Sequence, residues 1–321
     1  MARDSNDTLS GKLVALVGGS GFFGAHVAQE LLARGARLRV CSRHPEKAYR
    51  LKTLGNLGQV QLLRVDVLKP ETLGAALAGC DAVVNLVGAF AGDLDALQGK
   101  GVGKLAEAAR AAGASAFVHV SALGADAHSP IPYSRTKAEG EDAVRAAFPA
   151  ATILRPSVLF GDDDSFITMF AGLIAAFPVM PVFGPQAKLQ PLMVDDAAAA
   201  VANALADPQA HAGKTYEIAG PEQIAMGDLN RRIAAAQGRT RAFLELPDAV
   251  SGAFATLTGW LPFAPLSREQ WALLKDGNVA SGALPGLAEL GITPRPLGLF
   301  LDRWMVRFRN HGRFGTKVRP A

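Results

Sequence analysis

Four glycines in seven residues interrupt the apolar start of this chain, in the stretch GGSGFFG at residues 18–24. An apolar run at 13–17 precedes the glycines, and helical spacing of apolar residues and a second apolar run at 38–41 follow them. This order of strand, glycine turn, helix and strand predicts one βαβ unit. Because the glycines let the backbone turn tightly and a helix N-terminus presents free amides, the turn predicts a pyrophosphate site.

Further apolar runs extend this pattern along the chain. They span 60–65, 82–87, 116–120 and 152–154, with alanine-rich helical stretches between most of them, and TYEIA at 215–219 is predicted as the last strand. Such alternation predicts an α/β fold with a Rossmann-like, doubly wound parallel sheet. We predict one domain over 11–220, including an apolar lid segment at about 162–190, and a smaller, mostly helical C-terminal part over 221–321.

The end of the second predicted strand indicates which dinucleotide binds. An acidic residue there would accept the ribose 2′-hydroxyl of NAD, but this chain has Ser42 and Arg43. A guanidinium suits a 2′-phosphate, so NADPH (NADP) is predicted as the cofactor. The alternative is that Arg43 is a solvated loop residue. The glycine turn supplies six further residues predicted to contact the cofactor: Gly18, Ser20, Gly21, Phe22, Phe23 and Gly24.

Seven short motifs follow one another over nearly the whole chain: GGSGFFG, VDV at 65–67, NLVG at 85–88, HVSALGA at 119–125, YSRTK at 133–137, LRPSVLFG at 154–161 and PLMVDDAA at 191–198. In content and order they resemble the extended and atypical short-chain dehydrogenase/reductase superfamily. A narrower resemblance is to the NADPH-binding accessory subunit of respiratory complex I and its bacterial relatives. Its most telling stretch is LLKDGNVASGALPGLAELGITP at 273–294, which lies outside the nucleotide fold.

The resemblance implies positions for the remaining cofactor contacts. Asp66 and Val67 would lie at the adenine, although Asp66 is also compatible with a strand-end cap. The other implied residues lie along the cofactor or close over the nicotinamide: Leu86, Val87, Gly88, Pro156, Ser157 and Val158.

The superfamily uses a phenol that can donate and recover a proton. Tyr133 and Lys137 are one helical turn apart and share a face. The ammonium would lower the pKa of the phenol, and Ser121 would polarise a substrate oxygen, which makes these three the candidate catalytic residues. The same side chains would also be retained by a protein that only binds the cofactor. The apolar segment 166–183 offers few groups to orient a sugar.

The C-terminal residues combine an apolar stripe with positive charge. Residues 295–321 hold six arginines and one lysine against Asp302, a net of +6, so the rest of the chain, whose total is +4, carries −2. A basic amphipathic helix can lie on anionic lipid or an acidic partner subunit, and core packing of the stripe is equally compatible. The stripe consists of Leu297, Phe300, Leu301, Trp304, Met305 and Phe308. Nucleic acid is a weaker alternative because the body is slightly acidic.

Other patterns restrict the function classes. Two distant cysteines predict no disulfide framework, and scattered histidines predict no metal site. The acidic runs 162–164 and 195–196 are interpreted as helix caps. The polar N-terminus lacks a leader pattern, and prolines interrupt the uncharged runs 165–187 and 249–267, so no membrane span is predicted.

We therefore predict a largely structural, NADPH-binding subunit of respiratory complex I. It would be cytoplasmic and peripheral on the inner face of the energy-transducing membrane, with membrane respiratory subunits as partners. The alternatives are an NADPH-dependent reductase or epimerase, and a regulator that reports NADPH occupancy.

Overall fold

The computed structural model describes residues 8–258, 267–310 and 312–314. The strands are, in chain order, β1 (Leu13–Val17), β2 (Arg37–Ser42), β3 (Val60–Arg64), β4 (Ala82–Asn85), β5 (Ala116–Val120), β6 (Thr152–Pro156), β7 (Leu159–Phe160), β8 (Val179–Phe183), β9 (Lys188–Leu189), β10 (Leu192–Met193), β11 (Thr215–Ile218), β12 (Ile224–Ala225) and β13 (Ala242–Leu246).

The α-helices are α1 (Phe22–Ala33), α2 (Leu73–Leu77), α3 (Gly101–Ala111), α4 (Pro132–Ala147), α5 (Phe166–Ala176), α6 (Val194–Ala206), α7 (Met226–Ala236), α8 (Asp248–Thr258), α9 (Arg268–Asp276) and α10 (Gly298–Trp304). A π-helix spans Asp95–Lys100, and 3₁₀ turns span Pro45–Thr53, Pro70–Thr72, Ala288–Leu290, Met305–Phe308 and Gly312–Phe314.

Seven strands form the main sheet, in the order β11-β6-β5-β4-β1-β2-β3. Every neighbouring pair is parallel. The predicted Rossmann-like, doubly wound sheet is therefore confirmed, and TYEIA supplies its last strand as expected. Strand β1 is an unbroken apolar run, and β4 and β5 are apolar apart from Asn85 and His119, because helices cover both faces of such a sheet.

The predicted fourth strand was too long at its C-terminal end. It was expected to run over 82–87, but β4 ends at Asn85. The backbone amide of Val87 donates to the Asn85 side-chain oxygen at 3.0 Å, so the side chain turns the backbone away from the sheet. A buried polar side chain thus ends this strand.

The chain divides into two compact units, each built from separate stretches. Unit 1 contains the described residues up to Pro156, Val194–Ile218 and Ser281–Thr293. Unit 2 contains the described parts of Ser157–Met193, Ala219–Ala280 and Pro294 onward. The sequence prediction instead drew a single boundary at residue 220, with the lid segment inside the nucleotide-binding domain.

The edge strand β11 of unit 1 is covered by the segment that follows residue 280. Ser281 donates to the Glu217 carboxylate through its amide at 2.6 Å and its hydroxyl at 2.7 Å. The Glu217 amide in turn donates to the Pro285 carbonyl at 2.9 Å. Because an uncovered edge invites pairing with another chain, this segment protects the edge of the sheet.

Unit 2 has its own hydrophobic core, which includes the C-terminal stripe. Leu297, Leu301 and Met305 are buried with residues of α5, β8 and α7, and Phe300, Trp304 and Phe308 pack against them. Core packing therefore accounts for the stripe, one of the two roles that the sequence left open. Asp302, Arg303 and Arg307, which lie between the residues of the stripe, are exposed.

Part of the expected basic tail is used within unit 2. The Arg307 guanidinium donates to the Asp162 carbonyl at 2.6 Å, and that of Arg309 donates to the carbonyls of Ala236 and Asp302, both at 3.0 Å. Lys317 and Arg319 lie outside the described residues, as do 1–7 and residues 259–266 of the second uncharged run.

In the described part of the chain no helix is long and apolar enough to cross a bilayer. Those same residues contain no group of His, Cys, Asp or Glu side chains that could hold a metal ion. Asp164 instead accepts the amides of Gly161 at 3.1 Å and Ile167 at 2.6 Å, which places this acid at the start of α5 as a cap.

Candidate nucleotide-binding site

The glycine turn between β1 and α1 is shaped by close backbone contacts. Gly18 has a φ of +86°, a conformation that glycine adopts without strain. A Cβ at Gly18 would lie 3.1 Å from the carbonyl carbon of Leu86, and one at Gly24 would lie 2.6 Å from backbone atoms of Gly19. These two glycines therefore bring the turn against the residue after β4 and α1 against the turn.

Gly21 differs from the other glycines of this turn. Its φ of −80° and ψ of 178° are extended values open to any residue. A Cβ there would meet no described atom closer than the Gly18 carbonyl oxygen, at 3.7 Å. Phe22 and Phe23 begin α1 directly after it, and first-turn amides have no acceptor within a helix. The space beside Gly21 and these amides suit a pyrophosphate, and Ser20 lies in the same turn.

Ser42 and Arg43 lie at the end of β2 with their polar groups unpaired. The Ser42 side chain is buried, and its hydroxyl has no hydrogen-bond partner in the described chain. Arg43 is exposed and forms no ion pair with any described residue. Glu46, the acidic residue nearest to Arg43 in the sequence, pairs with His44 at 3.1 Å. An unpaired hydroxyl and guanidinium at this strand end suit a phosphate group.

Asp66 forms the turn after β3. One carboxylate oxygen accepts the amide of Leu68 at 3.1 Å, and the Asp66 amide donates to the Thr72 hydroxyl at 3.2 Å. This is the strand-end role that the sequence left open, and an adenine contact by Asp66 stays a prediction. Val67 is buried in the core of unit 1, with 4% of its surface exposed.

The loop of Leu86, Val87 and Gly88 is held from several sides. The Leu86 amide donates to the Val17 carbonyl at 2.8 Å, and Lys137 donates to the Val87 carbonyl at 3.4 Å. Two residues that sequence reasoning missed complete this support. Asn85 accepts the Val87 amide, and Gln98 accepts the Ala89 amide at 3.2 Å. Asn85 could have been found as a polar residue ending an apolar run, whereas Gln98 carries no such signal.

Ser121, which follows β5, and Lys137 of α4 are both buried. The Ser121 hydroxyl has no hydrogen-bond partner in the part of the chain that the structure describes. The Lys137 ammonium donates to the carbonyls of Val87 and Val120, the latter at 3.2 Å. Burial lowers the pKa of Lys137 from its usual 10.5 to about 8, with Glu141 acting in the opposite direction.

Tyr133 lies one turn before Lys137, as predicted, but its phenol is not activated. Burial raises the pKa of Tyr133 to about 12, so the expected lowering by the lysine is wrong for this structure. The Lys137 ammonium donates to two backbone carbonyls and lies 6.0 Å from the centre of the phenol ring. Phe90, which the sequence analysis missed, stacks on this ring with centroids 4.6 Å apart.

Pro156, Ser157 and Val158 are fixed by different partners. The Pro156 carbonyl, at the end of β6, accepts the Leu123 amide at 3.0 Å in unit 1. In unit 2 the Ser157 hydroxyl donates to the Gln190 carbonyl at 2.6 Å, and the Asn278 side-chain oxygen accepts the Val158 amide at 2.6 Å. The hydroxyl of Ser157 is therefore already paired. Sequence reasoning missed Gln190 and Asn278, since both act across long stretches of chain.

The residues of unit 1 fit a phosphorylated nicotinamide dinucleotide. Buried hydroxyls normally have a partner, and those of Ser42 and Ser121 have none among the described residues. The turn at Gly21 leaves room where a pyrophosphate approaches. When bound, such a cofactor supplies a hydride, and Tyr133 is the group that would give a proton to a carbonyl oxygen.

Known proteins agree with this fold and cofactor. A family model described as NAD(P)H-binding matches residues 18–171, which confirms the predicted nicotinamide cofactor. Among solved structures, the triphenylmethane reductase of Citrobacter sp. superposes with a TM-score of 0.75 at 20% identity, covering 91% of this chain and 99% of that one. At this identity the likeness shows the fold.

Two curated proteins are similar over long stretches. Ceramide reductase of Caulobacter vibrioides is 34% identical over 191 residues, which cover 58% of this chain and 59% of that protein. The mitochondrial NADH dehydrogenase (ubiquinone) 1 alpha subcomplex subunit 9 of Mus musculus is 31% identical over 326 residues, covering 98% of this chain and 85% of that protein. This chain belongs to the family of that alpha subcomplex subunit.

Proposed function

We propose that the chain is an NADPH-binding, largely structural accessory subunit of a respiratory NADH:ubiquinone oxidoreductase. The alignment with the mouse subunit carries this proposal because it runs over nearly the whole chain. It therefore takes in the C-terminal stretch 273–294, of which Ser281 and Pro285 bond to the edge strand β11. The nucleotide in this proposal stabilises unit 1 and is not consumed.

The preference for NADPH over NADH rests on the end of β2. Arg43 is an exposed cation with no acid pairing it in the described chain, and Ser42 has an unpaired buried hydroxyl beside it. A 2′-phosphate would satisfy both groups, whereas a 2′-hydroxyl would leave the guanidinium without an anion.

The surroundings of Tyr133 and Lys137 support a role in cofactor binding for the candidate catalytic residues. Burial raises the pKa of Tyr133, and Phe90 stacks on its ring. Lys137 donates to backbone carbonyls of the loop and of β5. A working proton donor needs a pKa nearer the ambient pH and an open path to its oxygen. In this chain we infer that Ser121, Tyr133 and Lys137 bind cofactor.

Unit 2 supplies the proposed docking surface. Phe177, Val179 and Leu244 are large apolar side chains that remain about half exposed on and beside the β8–β13 ribbon. Arg313 and Phe314 add an exposed cation and an exposed ring at the C-terminal end. Apolar and basic groups together suit a partner subunit and anionic lipid at a membrane surface. We propose a peripheral position on the cytoplasmic, inner face of the energy-transducing membrane.

The second candidate is an NADPH-dependent reductase or epimerase. The alignment with ceramide reductase favours it, because that alignment covers more than half of each protein. The two functions differ in what Tyr133 must do. A reductase needs its hydroxyl, whereas an accessory subunit needs the fold, the bound nucleotide and the docking surface.

Complementation of a deletion strain tests the proposal. Membranes are solubilised gently, and the assembled complex is measured by its amount and by its NADH oxidation. Tyr133→Phe should restore both, since one hydroxyl contributes only about 1 kcal/mol to a cofactor contact. Gly21→Val, and truncation after Gly312, should weaken assembly. If Tyr133→Phe behaved like the deletion while the variant still accumulated and bound NADPH, the reductase function would replace the proposed one.

A further inference from the structure

Phe90 places an aromatic ring over the phenol of Tyr133. The two ring centroids are 4.6 Å apart and the ring planes differ by 16°, which is a stacked arrangement. Phe90 remains 58% exposed, so its ring is held at the surface and is not part of a core cluster. Its position therefore follows from the loop that carries it and from the phenol beneath it.

That loop is fixed by three different elements. Asn85, at the end of β4, accepts the Val87 amide at 3.0 Å, and Lys137 of α4 donates to the Val87 carbonyl at 3.4 Å. Gln98 of the π-helix accepts the Ala89 amide at 3.2 Å. The residue that directly follows Ala89 is the stacked phenylalanine, so its backbone is fixed up to the residue before it.

Gln98, which holds this loop, is itself buried and hydrogen-bonded. Its side chain is 1% exposed, and its amide nitrogen donates to the Thr136 hydroxyl at 2.8 Å. Thr136 belongs to α4, the helix that carries Tyr133, and donates onward to the Pro132 carbonyl at 2.7 Å. One chain of hydrogen bonds therefore connects the loop before Phe90 to the helix of the phenol, and the stacked pair is built into unit 1.

We propose that Phe90 is the specificity-determining residue of the Tyr133 site, and that it shields the phenol from small carbonyl compounds. This inference rests on the proposed function, because it supplies the reason that a chain with Ser121, Tyr133 and Lys137 binds a nucleotide without turnover. The burial that raises the pKa of Tyr133 agrees with a shielded phenol. The Lys137 ammonium lies 6.0 Å from the centroid of the Tyr133 ring.

Nitration of the purified full chain by tetranitromethane tests the shield directly, without any turnover. The chain has three tyrosines, of which Tyr49 is 61% exposed and Tyr216 is 1% exposed, so two internal references flank Tyr133. Peptide mass spectrometry separates the three sites. In the native protein Tyr49 should react first, and Tyr133, which is partly buried, should react more slowly than Tyr49.

Variants of Phe90 then decide which group protects the phenol. Phe90→Ala should speed nitration of Tyr133 roughly tenfold, which corresponds to a barrier about 1.4 kcal/mol lower. Phe90→Trp keeps a stacking ring and should keep the protection. Leu57→Ala, which shortens a fully exposed apolar side chain of the same unit, should change nothing. Rapid nitration of Tyr133 in the native protein, or an unchanged slow rate in Phe90→Ala, would overturn the proposal.

Reduction of 4-nitrobenzaldehyde at the expense of NADPH tests the consequence. Each aldehyde reduced to its alcohol consumes one NADPH and one proton. Phe90→Ala should gain this activity, and the double variant Phe90→Ala/Tyr133→Phe should lack the gain. Faster nitration of Phe90→Ala without aldehyde reduction would overturn the specificity role. Reduction by the native protein that depends on Tyr133 would instead contradict the proposed function, while the nitration rates still decide whether Phe90 shields the phenol.

Discussion

Replacement of Gly21 by valine should remove cofactor binding while leaving the fold intact. Gly21 has extended backbone angles, and a Cβ there meets no described atom closer than 3.7 Å. The substitution should therefore lower the stability of the free protein by at most about 1 kcal/mol, the typical cost of a poor residue at a helix N-cap. The added side chain lies where the backbone must approach a pyrophosphate, so the ligand loses its place.

The size of the effect follows from linkage. NADPH at about a hundredfold excess over its dissociation constant stabilises the native protein by about 2.7 kcal/mol. For a domain of this size that corresponds to a rise in melting temperature of roughly 5–10 °C. Gly21→Val should show no such rise in a thermal shift assay with increasing NADPH.

Two other glycines provide matched controls. Gly24→Ala introduces a Cβ 2.6 Å from the Gly19 backbone, so it should lower the stability of the free protein by about 1–3 kcal/mol. Gly74→Ala meets nothing within 4 Å and should keep both the stability and the NADPH shift. A full NADPH shift in Gly21→Val would mean that the phosphates bind elsewhere. If Gly21→Val without NADPH were as unstable as Gly24→Ala, the conclusion that there is open space beside Gly21 would be refuted.

Three further outcomes are expected. Arg43→Ala should cost NADPH about 1.5–3 kcal/mol of binding energy, roughly ten- to a hundredfold, and leave NADH affinity unchanged, as measured by titration. Glu141→Gln should lower the free energy of unfolding in urea by about 2–3 kcal/mol. The buried Glu141 accepts two hydrogen bonds from Arg155, which is itself 20% exposed. Burial lowers the pKa of Lys137 from 10.5 to about 8, so the unfolded chain binds more protons between these values. The free energy of unfolding should rise with pH across that window, and less so in Lys137→Met.

The sheet was predictable because its signals are local. Strands buried on both faces read as apolar runs, and the glycine turn has a fixed place between the first strand and its helix. The division into units was not predictable in this way. Residues 157–193 join unit 2 because the side chains of α5 and β8 share a core with α7 and with Leu301 and Met305, more than a hundred residues later. No short window of sequence carries that information.

In the candidate site, the sequence predicts which residues lie near one another but not where their side chains point. The helical spacing of Tyr133 and Lys137 correctly predicts that they lie one turn apart on α4. It does not fix where the ammonium points, which is toward the carbonyls of Val87 and Val120, or how far burial raises the pKa of Tyr133. Phe90 was missed because a loop phenylalanine gives no sequence signal for stacking on a residue 43 positions later.

The ammonium of Lys137 also limits what the site can do with a bound nucleotide. An ammonium has three donors, and two of them are directed at the carbonyls of Val87 and Val120. One donor remains, which suffices for a ribose hydroxyl or for the oxygen of Tyr133 but not for both. Proton transfer would require the lysine to support the phenol and the ribose together, whereas binding requires only the ribose contact. In the arrangement seen here, cofactor binding leaves every existing hydrogen bond of Lys137 in place. Support of the ribose and of Tyr133 together would need release of one carbonyl, and the Val87 carbonyl at 3.4 Å is the more distant of the two.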